Sequence, residues 1–323
     1  MGYFLKTVFK SGKFCFGFSV IVIILLLITI YPMFDTRDPL DMAGGFFERP
    51  NMVEYINRNK EGGQKAASAV AEVDQATTDL LAQFGMVMAE KKEQPIALHI
   101  LGTDNFGRDM MAQLVAGTKT SLVIGLLAGT IATLIGLTIG LLAGYLGGQI
   151  DNFLSSITNI FLVIPSFVIL VLVSVSVSTR SFLTTGIIIG VTSWPWTARA
   201  VRSQTTSLRN RDHVNLSKLS GHSMPRIIIK DILPYIASYV VMAFILQVAS
   251  GILSEASISM LGLGPRNVAT LGLMMNWAGS FNALFNGNWW AFLPMVLMIS
   301  LITFSLNLMN SGLDQIFNPQ IRS

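Results

Sequence analysis

The side chains of this chain that could bind a metal ion or act as nucleophiles are few and far apart. There is a single cysteine, Cys15, and the three histidines fall in separate hydrophilic segments: His99, His213 and His222. A zinc site needs several such ligands at close spacing. Gly12-Lys13 lacks the upstream glycine of a phosphate-binding loop, and no Gly-x-Ser-x-Gly nucleophile motif occurs. The sequence therefore predicts no catalytic, metal or cofactor site on this chain.

The most concentrated charge lies in the stretch 197–234, which contains only two acids, Asp212 and Asp231. Its seven basic residues are Arg199, Arg202, Arg209, Arg211, Lys218, Arg226 and Lys230. Because Lys and Arg near the ends of inserting helices resist translocation, we expect this loop on the cytoplasmic side of a membrane.

The same stretch contains an apolar pattern. Val214, Leu216 and Leu219 have helical spacing, and Gly221, a second apolar run and Pro234 follow. Helix, glycine turn, helix and proline indicate a small folded unit inside the loop.

Glu255 is the exception among apolar segments that otherwise contain almost no ionisable residues. A charge buried in the bilayer costs roughly 2.5–3.5 kcal/mol. The carboxylate should therefore lie at a water interface or face the protein interior. We predict that it borders the outer mouth of a transport pathway, with Arg266 as a candidate partner.

These residues are carried by a very apolar chain. It has 323 residues, of which 52% are hydrophobic and only 12% are charged, whereas a soluble domain has about 25% charged residues. Stretches near the roughly 20 residues needed to span a bilayer occur at 14–34, 121–146, 157–178, 182–198, 235–254 and 289–309. The prediction is an all-α polytopic membrane protein with six transmembrane helices.

The charges predict its orientation. Lys6, Lys10 and Lys13 precede the first span, whereas residues 35–109 hold thirteen of the eighteen acids against eight Lys and Arg. The basic N-terminus is therefore predicted to be cytoplasmic and the acidic segment to lie outside. Because six spans put both termini on the same side, the C-terminus is predicted to be cytoplasmic as well. The predicted regions are a cytoplasmic N-terminus at 1–13, a first transmembrane helix at 14–34, an extracytoplasmic segment at 35–120, a five-helix core at 121–312 that includes the cytoplasmic loop 199–234, and a cytoplasmic tail at 313–323.

Two further patterns leave alternatives open. Within an insertion at 42–98, residues 64–91 predict an amphipathic helix, which either packs over the rim of the membrane domain or docks an external partner. Glycines four residues apart in the second span, such as Gly136 and Gly140, favour close helix packing. A moving helix–helix contact along a pathway is the alternative.

The basic loop resembles the cytoplasmic coupling loop of bacterial ABC-importer permeases. The signature of that loop is Glu-Ala-Ala, three residues, Gly and a distal Ile-x-Leu-Pro. Here Gly221 and the Ile-Leu-Pro at 232–234 correspond to it, while Asn215-Leu216-Ser217 replaces Glu-Ala-Ala.

Further motifs are similar to those of the oligopeptide/dipeptide/nickel permeases, in particular to the second of their two permease subunits. They are His99 to Asp104 with 107–109, the run 144–148 with Asp151, 254–256 leading to 261–264, and 307–314 with 318–319. The resemblance covers residues 99–322.

The resemblance implies the type I ABC-importer permease fold in a bacterial cytoplasmic membrane, surrounded by lipid. The implied partners are a second permease subunit, two ATPase subunits that hold ATP and Mg, and an extracytoplasmic solute-binding protein; peptides are the implied substrate. The residues implied to couple to the ATPases are Arg209, Arg211, Asn215, Leu216, Ser217, Leu219, Gly221, Leu233 and Pro234.

Two other functions remain open at this point. An ion-coupled secondary carrier is disfavoured by the scarcity of intramembrane charge, since such carriers use buried acids or histidines as relays. A permease-like subunit kept for assembly or sensing would explain the altered Glu-Ala-Ala. The formal net charge of +4 follows from the inside loops and requires no nucleic acid.

Overall fold

The computed structural model describes residue 9 and residues 11–52 and 98–317. The ordered elements in these ranges are helices. We number them α1 (Gly12–Phe34), α2 (Met110–Leu146), α3 (Gly148–Val163), α4 (Ser166–Ser176), α5 (Phe182–Arg209), α6 (Asp212–Leu219), α7 (Met224–Ile227), α8 (Leu233–Met260), α9 (Leu271–Ser280) and α10 (Leu293–Phe317). A π-helical turn, Ile228–Ile232, joins α7 to α8. The helix predicted at 64–91 lies outside the described residues.

Most of the predicted spans are long apolar helices in the described chain. Four are long and apolar enough to cross a membrane, namely α1, α2, the continuous helix Met224–Met260 and α10. The pair α3 and α4 makes a fifth if it is taken as one bent span. This part of the chain is therefore an all-helical membrane protein with four or five such elements.

The span predicted at 157–178 is not one continuous helix, because the chain bends there by 87° between α3 and α4. Pro165 has no backbone N–H to continue the helix, and the residue before a proline is disfavoured in the helical conformation. Ile164 accordingly adopts φ −79° and ψ 128°, which is extended backbone.

Helix α2 is the central element and packs closely on α5 and α8. A Cβ atom added at Gly140 would lie 2.7 Å from the carbonyl oxygen of Ala198 on α5, and one at Gly129 would lie 2.6 Å from a Val248 methyl group on α8. The structure therefore agrees with the close-packing interpretation of the glycine pattern.

The N-terminal end of α2 is covered by a cap made of residues 35–52 and 98–109. Asp109 caps α2 by accepting hydrogen bonds from the backbone N–H groups of Met111 and Ala112, both at 2.9 Å. Its other oxygen lies 2.8 Å from His99 Nδ1. This arrangement explains why α2 begins at Met110, well before the apolar run predicted from residue 121.

Arginine side chains hold acids of the cap in place. Arg108 Nε donates to Asp104 Oδ2 at 2.7 Å, and the guanidinium lies 3.9 Å from the centre of the Trp277 ring. Hydrogen bonds from Arg37 hold the pKa of Asp35 at about 2, so that this carboxylate at the end of α1 is ionised at neutral pH.

Candidate functional site

The predicted basic loop 199–234 begins as helix, because α5 continues to Arg209. Arg199 and Arg202 therefore project from α5. Only Asn210 and Arg211 separate α5 from the eight-residue helix α6. Gly147, which follows the last residue of α2, lies in contact with the Arg209 guanidinium, so α6 is at the opposite end of α2 from the cap.

Helix α6 is anchored through one fully buried side chain. Val214 is 0% exposed and belongs to an apolar cluster with Leu141, Val201, Leu208, Ile227, Ile228, Ile232 and Ile236. Burying a valine in this way is worth roughly 1.5–3 kcal/mol. The His213 ring also stacks on Tyr235 of α8, with ring centres 4.6 Å apart. The helix is thus fixed to α2, α5 and α8.

The opposite face of α6 carries the two leucines predicted as anchors, and both are uncovered in this chain. Leu216 is 63% exposed and Leu219 is 85% exposed. Arg211 and Lys218 are exposed beside them, and Lys218 Nζ donates to the Arg209 carbonyl oxygen at 2.9 Å. Two exposed leucines flanked by basic side chains form a surface that could pack into an apolar groove on a protein with acidic residues around it.

Asn215 stands where the resembling loop has glutamate. Its side-chain nitrogen donates to the Asn210 carbonyl oxygen at 3.1 Å, across the junction between α5 and α6. An ionised glutamate has no proton to donate to this carbonyl. Asparagine therefore makes a contact inside the loop that the usual residue does not make.

Gly221 ends α6 in a left-handed conformation, with φ +75°. His222 N donates to the Ser217 carbonyl oxygen at 3.2 Å, and Gly221 N donates to Lys218 O at 3.0 Å. This pair of bonds is the Schellman pattern, which satisfies the last carbonyls of a helix. No atom lies within 4 Å of a Cβ added at Gly221, so glycine is favoured by its backbone conformation and not by crowding.

Leu233 and Pro234 begin α8 just after the π-helical turn. Leu233 N donates to the carbonyl oxygen of Ile228, five residues earlier, and its side chain packs on the apolar cluster around Val214. A proline ring clashes with the carbonyl four residues before it in a regular α-helix. The wider turn provides room at that point, and such turns often mark functional positions.

Glu255 lies in the protein interior, which is one of the two placements that the sequence allowed. It is 0% exposed and lines none of the described cavities. Ser121 Oγ donates to its Oε2 at 2.8 Å, Ser259 Oγ donates to its Oε1 at 2.6 Å, and the Thr270 hydroxyl is a third partner. Ser121 also accepts from Leu271 N at the start of α9. Glu255 therefore joins α2, α8 and α9, whereas Arg266 is exposed elsewhere.

An ion pair that sequence reasoning missed holds α3 against α5. Arg202 Nε lies 2.5 Å from Asp151 Oδ1, and its Nη2 lies 2.8 Å from Oδ2. One turn earlier on α5, Arg199 donates to the side chain of Asn159 at 2.8 Å. The residues are 51 positions apart in the chain, so nothing in their local sequence indicates that they meet.

The largest described cavity, of about 540 Å³, lies between the α3–α4 bend, α5 and α8. None of the fifteen described residues that line it is charged. Its polar residues are Ser166, Thr192, Ser193, Gln247, Ser250, Ser254 and Ser257. Gln247, Ser250, Ser254 and Ser257 are three or four residues apart, and this spacing is the sequence signal that they share one face of α8. The cavity itself depends on the bend between α3 and α4.

Comparisons with known proteins agree with this architecture. Residues 136–323 match the family of binding-protein-dependent transport system inner membrane components. The chain belongs to this family. The matched region includes α6, the wall of the cavity and the C-terminal helices.

Relatives of this chain are named for peptide transport. The dipeptide transport system permease protein DppC of Bacillus subtilis is 32% identical over 73% of this chain and 73% of its own length. The oligopeptide transport system permease protein OppC of Mycobacterium bovis is 32% identical over 72% of this chain and 79% of its own length. These relatives confirm the predicted family of permease subunits.

A solved structure has a similar fold. The chain matches a structure of the MetNI methionine ABC transporter with a TM-score of 0.50 and 23% identity, over 63% of this chain and 97% of the other. The predicted importer-permease fold is therefore confirmed at the level of helix arrangement.

Proposed function

We propose that this permease is one of two membrane subunits of an ATP-driven importer of oligopeptides or dipeptides. The observation that carries the proposal is helix α6, which is anchored by Val214 and presents Leu216 and Leu219 uncovered at one end of the bundle. The relatives named for dipeptide and oligopeptide transport supply the substrate class.

The proposed membrane arrangement has six spans. The bent pair α3 and α4 serves as one, and α5 as another. Helix α5 has 28 residues, about 42 Å at 1.5 Å per residue, which exceeds the roughly 30 Å of bilayer hydrocarbon. The cation-rich end with α6 is assigned to the cytoplasm, which also places both termini there and the cap outside.

In this proposal α6 is the coupling helix. Leu216 and Leu219 enter an apolar groove on an ATPase subunit, while Arg209, Arg211 and Lys218 guide its approach. Motion of α6 reaches the membrane through the apolar cluster around Val214, which includes residues of α2, α5 and α8. The Leu233–Pro234 junction lies on this route.

The complete transporter requires other chains. A second permease subunit completes the pathway, and a pair of ATPase subunits binds ATP and Mg and performs the hydrolysis. An extracytoplasmic solute-binding protein delivers the peptide. This chain contributes half of the pathway and no catalytic group.

The test is a double variant, Leu216→Asp with Leu219→Asp, in the assembled complex in proteoliposomes. Both side chains are exposed, so the variant should insert and fold normally, yet lose most ATP-dependent peptide uptake because carboxylates are expelled from an apolar groove. Val214→Asp is the matched control, since it buries a charge and should lower the yield of folded protein itself.

Two results would contradict the proposal. Uptake at the wild-type level in the double variant would remove the coupling role from α6. Failure of an ATPase and a second permease to co-purify with this chain in mild detergent would instead support a carrier that works alone.

A further inference from the structure

The wall that α8 contributes to the 540 Å³ cavity is built from uncharged hydrogen-bonding groups. Gln247, Ser250 and Ser254 follow one another at three- and four-residue spacing, so they share a face of the helix. Hydroxyl groups both donate and accept hydrogen bonds, and a carboxamide offers both functions at fixed positions. The volume is within the roughly 300–1,000 Å³ of known ligand sites.

Gln247 is held in a defined orientation on this wall. It is 6% exposed, and its amide nitrogen donates to the Ser193 carbonyl oxygen at 3.0 Å and to Thr197 Oγ1 at 2.7 Å. Both amide hydrogens are thereby used on α5. The carboxamide oxygen is the remaining group of this side chain that can accept a hydrogen bond from a solute.

The charged groups on neighbouring turns are engaged by protein partners. Arg199 binds Asn159, and Arg202 binds Asp151. Glu255 follows Ser254 directly in the chain, but it lies among three hydroxyls away from the cavity. The cavity therefore has an uncharged lining although ionisable residues are close to it in sequence.

We propose that this wall binds solutes through the N–H and C=O groups of their peptide main chain and does not discriminate between them by net charge. The proposal rests on the proposed function as a peptide permease. Main-chain groups are common to all peptides, whereas a fixed charge in a low-dielectric setting would favour solutes of opposite charge and reject those of like charge. Trp196 and Phe167, also on the lining, supply apolar contact for varied side chains.

The test introduces a charge at Ser250, which is exposed on the lining. Ser250→Asp and its uncharged isostere Ser250→Asn are assembled with the partner permease, the ATPases and the binding protein in proteoliposomes. Uptake of a cationic, a neutral and an anionic tripeptide is measured, each at saturating binding protein. In the wild type the three uptake rates should agree within a factor of about three, because the interaction free energies of the three peptides with the cavity should differ by less than about 1 kcal/mol.

With Ser250→Asp, the ratio of cationic to anionic uptake should rise about tenfold, which is the effect of roughly 1.4 kcal/mol. Ser250→Asn should leave the ratio unchanged. If the Asp variant alters all three rates equally, or if the wild type already prefers one charge strongly, the inference is overturned while peptide transport stands. If the wild-type complex carries no peptide at all, the proposed function itself is wrong.

Discussion

Glu255 illustrates how a residue type can be identified from sequence while its environment is not. An acid in an apolar segment needs water or partners, and the sequence predicts this requirement correctly. Whether water or protein partners surround the carboxylate depends on Ser121 and Thr270, which lie outside α8. The local sequence around Glu255 does not show that their hydroxyl groups meet its carboxylate in the protein interior.

Thiol labelling tests this placement. In a Cys15→Ser background, Glu255→Cys should stay unlabelled by a membrane-impermeant maleimide, because the position is fully buried. Ser257→Cys on the exposed cavity face should react under the same conditions. The Glu255→Cys protein must react after denaturation, which shows that the thiol is present.

Labelling of Glu255→Cys in the folded complex would support the prediction that this position borders the pathway. The measurement should be repeated with nucleotide bound to the ATPases, since a change in labelling would show that the buried site opens during transport.

Among the elements, α6 was the most predictable. Its apolar spacing, the glycine and the proline are all local signals, and local signals determine caps and short helices. The bend between α3 and α4 was equally local, because Pro165 is visible in the sequence. It was missed because the apolar run continues through the proline, and length alone then predicts a single span.

A substitution series at Gly221 separates backbone strain from crowding. Gly221→Ala and Gly221→Leu should destabilise the end of α6 by a similar amount, about 1–2 kcal/mol, because both place an L-residue in the left-handed region and neither meets a neighbour. Gly221→Asn should cost less, since asparagine tolerates this conformation.

Hydrogen exchange of the amides of residues 220–222 measures the effect, with ATP-dependent uptake as the functional readout. A loss that increases steadily with side-chain size would instead mean that a partner subunit lies against Gly221 in the assembled transporter.

For the whole molecule, the sequence predicted the class and most of the helices, because apolar length is a strong signal. The packing of helices against one another was predicted only where glycine spacing indicates it. The Asp151–Arg202 ion pair and the cavity arise from contacts between distant elements, and no pattern in one sequence specifies such contacts.

The close contact of α2 with α5 should be essential to the assembled fold. Gly140→Val places a side chain where even a Cβ lies 2.7 Å from Ala198 O and from the Val201 side chain. Overpacking of this kind costs roughly 1–3 kcal/mol or more, so the thermal midpoint in detergent should fall by several degrees. Gly279→Ala on α9 is the control, because nothing lies within 4 Å of its added Cβ. An unchanged midpoint for Gly140→Val would mean that the two helices separate easily.

The bend at Pro165 has a consequence for hydration. With 16 and 11 residues, α3 and α4 are about 24 Å and 16 Å long, so neither alone crosses the roughly 30 Å hydrocarbon layer. Pro165 provides no N–H for the carbonyl of Phe161, and a polar main-chain group exposed to lipid is costly. Leu162 and Ser166, on either side of the break, both line the cavity. If the bent pair spans the membrane as proposed, we therefore expect water to reach the cavity at this depth, so that the interrupted helix keeps this part of the bundle hydrated even when no solute is present.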